Sequence, residues 1–393
     1  MPLEILLFAL LFLALALGWW LGRKERRRRS PPPGTLGEIS RAYFIGLNYL
    51  LNEQPDAAIE TFVKALEVNS DTIETHIALG NLFRTRGESD KAVRVHQNLF
   101  ARPSLTREQA ARVQLELAKD FMAAGLLDRA ERLLSELAKQ NNATGQASQV
   151  LLVDLYEREK EWQKAIHSNS PAMLKESLQL RKAAAHYACE LAAIQLGKNN
   201  FAPARKLLKQ AAAFDSACIR ATLLTAQLEL QSGSAKAAVR ILLRIPEQDP
   251  AYIPVMIQTL VDAYQVLDQP KELINTLEKI LVEHNYTSVL IHLAETLRQL
   301  GRHQEALEKV DYYMLRQGSL KGVDYLINLY LHQAGGDERA HLLTLRNLTH
   351  QLLQHNPEHQ CTSCGFESKQ LYWQCPKCRE WGSIKPIIGV EGE

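Results

Sequence analysis

The apolar positions of residues 40–100 repeat themselves. Gly46 and Gly80 stand 34 residues apart, and so do Ala58 and Ala92. An aromatic follows each glycine by three positions, Tyr49 and Phe83. A polar turn follows each aromatic, Asn52-Glu53-Gln54-Pro55-Asp56 and Arg86-Gly87-Glu88-Ser89-Asp90, and then a second apolar helix begins. Where two helices cross closely only a small side chain fits, which accounts for glycine at 46 and 80 and alanine at 58 and 92. The aromatics fill the space beside those crossings. A period of 34 with this order of small residue, aromatic, turn and alanine predicts helix–turn–helix units that stack into a solenoid.

The period can be followed by the small residue that opens the second helix of each unit: Ala58, Ala92, Ala130, Ala165, Ala204, Ala238, Leu273, Ala306 and Ala340. Two gaps carry insertions, around Arg102-Pro103-Ser104-Leu105-Thr106 and around Ser168–Ser177. Turn residues fall where the pattern wants them, at Gly87, Gly125, Gly233, Gly301 and Gly335, and Asp249-Pro250 closes the sixth unit. Leu273 in place of alanine predicts a slight splaying of the seventh unit, and the last unit fits least well. At these residues the sequence resembles the tetratricopeptide repeat (TPR) family. The expected fold is all-α: about nine helix pairs over residues 38–355, no sheet before residue 356, and a concave surface suited to an extended peptide or a partner helix.

Within this array the lone histidines His76, His96 and His292 and the aromatics Tyr43, Tyr49, Trp162, Tyr187 and Tyr264 read as core fillers at helical spacing. Cys189 and Cys218 read as small buried hydrophobes. Mixed charges such as Lys119-Asp120 and Arg129-Ala130-Glu131-Arg132 read as solvated faces.

The array is preceded by a different pattern. Ile5 to Gly22 is an uncharged run of Leu, Ala and Phe, near the minimum for crossing a bilayer, with Trp19 and Trp20 at its end. The basic run Arg23, Lys24, Arg26, Arg27, Arg28 and Arg29 follows at once. A cleaved signal peptide carries its positive charge before the apolar stretch, and residues 1–4 hold only Glu4. Residues 1–22 therefore read as a retained single-pass anchor, with the N-terminus outside and everything after residue 23 inside. Residues 23–37 read as a basic and proline-rich linker, with Pro31, Pro32 and Pro33 blocking a continuous helix.

Charge is nearly balanced, with 46 basic against 44 acidic residues, and six of the basic ones lie before residue 30. Beyond that run there is no basic bias, so nucleic acid is not expected as the main partner. No Gly-rich phosphate loop ending in Gly-Lys-Ser/Thr, no Gly-x-Ser-x-Gly and no His-Glu-x-x-His occurs in the sequence. The chain is not expected to be an enzyme.

Four of the six cysteines crowd residues 356–393, as Cys361-Thr362-Ser363-Cys364-Gly365 and Cys375-Pro376-Lys377-Cys378. A two-residue gap places both thiolates of each pair on one side of a tight turn, and two facing turns complete a tetrahedral four-sulfur site. Disulfides are the competing reading, which the inferred cytoplasmic side disfavours. Cys361, Cys364, Cys375 and Cys378 are thus expected to hold one metal ion, iron or zinc, in a site with no open position. Gly365 lets the backbone bend toward the sulfurs. Phe366, Tyr372, Trp373 and Trp381 either cover the metal or pack onto the array; His355 and His359 have no ligand role. The knuckles resemble rubredoxin, with a much shorter spacing between them than true rubredoxins have.

An anchor, a TPR array and a rubredoxin-like knuckle pair together resemble the lipopolysaccharide assembly protein B (LapB, also called YciM) family of Gram-negative bacteria. Local wording agrees at Leu79-Gly80-Asn81-Leu82-Phe83-Arg84, at Asp120-Phe121-Met122-Ala123-Ala124-Gly125-Leu126 and at Leu371-Tyr372-Trp373-Gln374-Cys375-Pro376. The prolines at 31–33 look like a local insertion in the linker. The resemblance implies a non-enzymatic adaptor at the cell inner membrane. Its implied partners are the membrane protease FtsH, the lipid A deacetylase LpxC that FtsH degrades, lipopolysaccharide assembly proteins, and a restraining inner-membrane sensor (PbgA, also called YejM). It also assigns metal binding to the four cysteines. Two other readings remain at this point: a rubredoxin-type electron-transfer protein and a general TPR co-chaperone.

Overall fold

The computed structural model describes residues 73–393 continuously, together with residues 19, 44–49, 52, 54 and 57–62. Helices dominate, and they come in pairs: Ile73–Thr85 with Ser89–Phe100, Arg107–Ala123 with Leu127–Leu137, Ala143–Arg158 with Trp162–Ser168, and Leu178–Gly197 with Phe201–Phe214. Ile219–Gln231 then pairs with Ala235–Leu242, Ile253–Val266 with Pro270–His284, Thr287–Gln299 with His303–Met314, and Leu320–Leu331 with Gly336–His355. The fold is a TPR-like solenoid followed by a small C-terminal ribbon. Two compact units divide the chain, Met1–Leu155 and Tyr156–Glu393.

One backbone device sets the pairs. The turn between paired helices passes through a left-handed residue, which is glycine at Gly87, Gly125, Gly233 and Gly301. Lys160, Asn199 and Asp268 occupy the same place with φ of 58°, 58° and 51°. A left-handed residue lets the next N–H reach back to a carbonyl of the first helix's last turn. Glu88 N–H donates to Phe83 O, Leu126 to Phe121, Ser234 to Glu229 and Arg302 to Leu297. Five residues beyond the left-handed position stands the small residue of the repeat. Ala92, Ala130, Ala165, Ala204, Ala238 and Ala306 are fully buried, and Leu273 is nearly so. Ala340 is the exception: it is exposed, because its turn carries the left-handed residue one place later, at Gly336.

The two insertions fold differently. Around residues 102–106 the chain makes a loop that ends in a capping box, with Gln109 N–H donating to Thr106 Oγ1 and Thr106 N–H to Gln109 Oε1. The second insertion becomes a helix of its own, Pro171–Glu176, capped by Ser170. Ser177 ends it and caps the next helix through Leu180 N–H.

In the first unit, the repeat glycines make room for one particular side chain each. A Cβ on Gly46 would meet the Phe62 ring at 2.5 Å, and one on Gly80 would meet the His96 ring at 2.4 Å. Phe62 and His96 are themselves one period apart, so the histidine occupies an aromatic slot. It is fully buried, with Nδ1 2.5 Å from an Asp120 oxygen. Asp120 is also fully buried, and it does not lie on the solvated face that its neighbour Lys119 suggested. The reason is Arg84, which donates to Asp120 at 2.7 Å and to Glu116 at 2.9 Å. Burial opposes the Glu116 carboxylate, yet hydrogen bonds from Lys119 and Arg84 outweigh it and hold its pKa below the ordinary value.

Among the described residues, no helix is long and apolar enough to cross a membrane. The run Ile5–Gly22, read from sequence as an anchor, lies outside the described residues except for Trp19, as do Tyr43 and the linker.

Glycine to alanine inside a helix ordinarily stabilises by about 1 kcal/mol. Gly80→Ala should do the opposite, costing about 1–3 kcal/mol, because the new methyl overlaps the His96 ring. Denaturant unfolding of the two chains compares them; a substituted chain as stable as the parent would refute the packing argument.

Candidate metal centre

The ribbon is built on three short antiparallel strands, β1 (His359–Cys361), β2 (Glu367–Ser368) and β3 (Ile384–Pro386), in the order β2-β1-β3. So little chain buries little core: Cys361, Cys375 and Ile384 are buried, with Phe366 and Leu371 against them. Each knuckle closes the same way. Gly365 N–H donates to Cys361 O and Arg379 N–H to Cys375 O, and both residues are left-handed, with φ of 70° and 62°. Glycine takes that conformation freely; arginine takes it at a cost, and its side chain has a use elsewhere.

The four cysteine sulfurs lie within 4.8 Å of one another. Cys361 and Cys378 Sγ are 3.7 Å apart, and Cys364 and Cys375 Sγ are 3.6 Å apart. Those separations are far beyond a sulfur–sulfur bond. They match the roughly 3.8 Å edge of a tetrahedron with metal–sulfur bonds of about 2.3 Å. Electrostatics point the same way. Burial opposes the Cys361 thiolate, but hydrogen bonds from Ser383 and from the Cys364 and Ser363 backbone outweigh it and bring its pKa down to about 6. At Cys378 the Glu380 N–H favours the thiolate, yet desolvation and the three other cysteines push it up to about 12. One thiol ionises readily and another resists, because four sulfurs crowd one point; a cation there removes the conflict. The donor set therefore fits a metal ion held by Cys361, Cys364, Cys375 and Cys378, and four-sulfur geometry is shared by zinc and iron. Bound there, the metal supplies a cross-link between the knuckles, with all four positions filled by protein.

The second knuckle docks on the helices of its own unit. Its hairpin, tied by Cys375 N–H to Glu380 O and Gly382 N–H to Trp373 O, projects two indoles outward. Trp381 stacks on His186 at 5.0 Å and meets Trp162 and Tyr187 edge-on at 5.9 and 5.8 Å. Trp373 stacks on Tyr252 at 5.8 Å, with the Arg220 guanidinium 5.7 Å from its centroid. The polar centre of the contact is one carboxylate. Glu157 Oε1 accepts from Gln374 Nε2 and Arg379 Nη2, both at 2.7 Å, and Oε2 accepts from Trp381 Nε1 at 2.9 Å and from the Tyr187 hydroxyl. His186 is buried with Nδ1 unpartnered, and burial, with Arg220 and Lys182 nearby, brings its pKa down to about 3. The imidazole under Trp381 is therefore neutral.

Three further ties hold the ribbon. Tyr252 Oη lies 3.0 Å from the Ile384 carbonyl and 3.2 Å from that of Gly382. Lys385 pairs with Asp249 at 2.7 Å. Glu393 places its carboxylate at the start of Thr287–Gln299, accepting from Ser288 N–H, Ser288 Oγ–H and Lys321 Nζ at 2.8, 2.6 and 2.7 Å.

The structure thus gathers the four expected cysteines and divides the ribbon aromatics. Trp373 and Trp381 face the helices, Phe366 lies by the sulfurs, and Tyr372 is largely exposed. His355 and His359 bond to the Gln351 and Lys369 carbonyls, away from the sulfurs. Trp162 and Tyr187 are core residues as expected, and they also receive Trp381. Cys189 and Cys218 are buried, as read from their pattern. Sequence reasoning missed Glu157, His186, Tyr252 and Arg379. Only Arg379 left a signal: it occupies in the second knuckle the place that Gly365 holds in the first.

Two outcomes check the centre. The purified chain should hold one metal per molecule by elemental analysis. Cys361→Ser should lose it and red-shift the fluorescence of Trp373 and Trp381 while helix content persists. Glu157→Ala strands four donors and should weaken ribbon docking by about 2–4 kcal/mol, read as easier proteolysis at residues 356–393, with metal content kept. A ribbon equally protected in Glu157→Ala would remove the carboxylate from its assigned place.

Comparison with known proteins follows the same division. Residues 359–386 match a family described as rubredoxin metal binding domain, and residues 40–72 and 75–108 match tetratricopeptide repeats. A solved structure from the functional characterisation of Pseudomonas aeruginosa pilF is 21% identical, covering 54% of this chain and 92% of that one, with a TM-score of 0.32. Lipopolysaccharide assembly protein B of Escherichia coli (strain K12) is 33% identical over 388 residues, 98% of this chain and 99% of that protein. The Haemophilus influenzae protein of the same name is 32% identical over 400 residues, with the same coverage. The chain belongs to the lipopolysaccharide assembly protein B family.

Proposed function

We propose that this chain is a non-enzymatic adaptor that controls lipopolysaccharide synthesis from the inner membrane. In this reading the helical array holds the lipid A deacetylase LpxC and presents it to the membrane protease FtsH. The same array gathers lipopolysaccharide assembly proteins, and a PbgA/YejM-like sensor restrains its action. The observation that carries the reading is the near-full-length match to relatives named for lipopolysaccharide assembly. Two features support it. The run Ile5–Gly22 followed by Arg23–Arg29 suits a single-pass anchor with the bulk of the chain on the cytoplasmic side. A ribbon clamped through Glu157 to the helices of its own unit gives that unit a fixed surface.

Tethering supplies the mechanism. A client bound to an anchored array is confined to a shell around the membrane protease, where its effective concentration reaches the order of millimolar. Encounter then no longer limits degradation, and the array needs no chemistry of its own. The metal centre serves by holding the ribbon's shape.

Depleting the chain in its native host should lengthen LpxC lifetime and raise lipopolysaccharide. A variant lacking residues 1–22 should still capture LpxC in a pull-down yet fail to shorten its lifetime. LpxC turnover that ignores both changes would sink the proposal.

A further inference from the structure

The last helix, Gly336–His355, has no buried residue. It is held to the helix before it by one flank. Thr349 donates to Asp324 at 3.0 Å and Arg339 to the Leu331 carbonyl at 3.0 Å, and Leu342, Arg346 and Leu353 on that flank are half-buried. About a quarter-turn round the helix runs a second stripe, Glu338, His341, Leu345, Leu348, Leu352 and His355. Its spacing alternates three and four residues, which is the seam of a coiled coil. The three leucines at its centre are 51%, 53% and 54% exposed. A solenoid ends stably when its last helix exposes polar groups, and this stripe leaves three leucines in solvent.

The polar groups at the two ends of the stripe say what fits it. Asp337 and Glu338 sit at the start of the helix. His355 is at its end, where the Lys369 amine bonds to the Gln354 carbonyl. We propose that this face is the interface between two copies of the chain, paired antiparallel about a two-fold axis between Leu345 and Leu348. That arrangement sets Leu345 of each copy against Leu348 of the other, and His341 against Leu352. It brings Glu338 opposite His355 at both ends, each acid facing the C-terminal end of the other helix, and opposes the two helix dipoles. A parallel pair would stack Glu338 on Glu338. The face is self-complementary, as a two-fold interface must be. The pairing goes beyond the adaptor reading and does not depend on it.

The test is the mass of the purified full-length chain in detergent micelles, by light scattering, over about 1–100 µM. Mass should rise toward twice the 44.4 kDa of one chain. Leu348→Glu, at an exposed position, should keep its helix content and raise the dissociation constant at least about 10-fold. Glu338→Arg should also weaken pairing, and adding His355→Glu should restore it. Mixed Leu345→Cys and Leu348→Cys chains should form a disulfide between copies, whereas Leu348→Cys alone should not. A single-chain mass throughout the range overturns the proposal. So does a dimer indifferent to Leu348→Glu, or self-crosslinking of Leu348→Cys. Monomers that bind lipid vesicles or another protein through the leucines also overturn it.

Discussion

A backbone constraint governs the array: in every described helix pair from residue 73 on, the chain passes through a left-handed residue before it reverses. That single conformation fixes where the second helix starts, and so which residue meets the first helix at closest approach. The fully buried alanines five places on follow from the turn rather than from a separate preference for alanine. Glycine meets the demand most easily, but Lys160, Asn199 and Asp268 meet it as well. Packing of the pair as a whole therefore outweighs the local cost of a side chain in that region. Where the left-handed residue slips by one place, at Gly336, the alanine that should follow is left in solvent.

The period was legible because it is written in residues that sterics leave little choice over. Gly46 and Gly80, the turn glycines and the paired C-x-x-C motifs are each forced by short-range geometry, so each shows in the sequence. Asp120 was misread for the opposite reason. Beside Lys119 it looks like a solvated charge, and Arg84, about a repeat earlier, together with the buried His96, holds it inward. Glu157 was invisible on the same grounds. An acidic residue near the end of a helix is ordinary; four donors converging on it from residues 187–381 are a property of the fold. Neither a buried ion network nor a docking contact has a period.

The metal centre and the docking contact share one hairpin. The turn that presents Cys375 and Cys378 also aims Arg379, Trp381 and Trp373 at the helices. Arg379 links the two tasks most directly: its left-handed backbone completes the knuckle, and its guanidinium reaches the Glu157 carboxylate. Loss of the metal would loosen the very backbone that carries these groups. Two indoles stacked on a neutral imidazole and a phenol ring then give the contact an apolar body around a charged centre.

Glu157 and Arg379 are 222 positions apart, and the chain is made from one end. At ordinary rates of synthesis, about 10–40 s separate the two residues leaving the ribosome. Throughout that interval Glu157 stands without its ribbon donors, and once residue 252 has been made, Trp162, His186, Tyr187 and Tyr252 wait with no ribbon to cover them. An interrupted transcript or a ribbon that fails to capture its metal leaves the same surface open. The finished ribbon thus acts as a seal of completion, and chains lacking it carry the kind of sticky, half-charged patch that chaperones and proteases recognise.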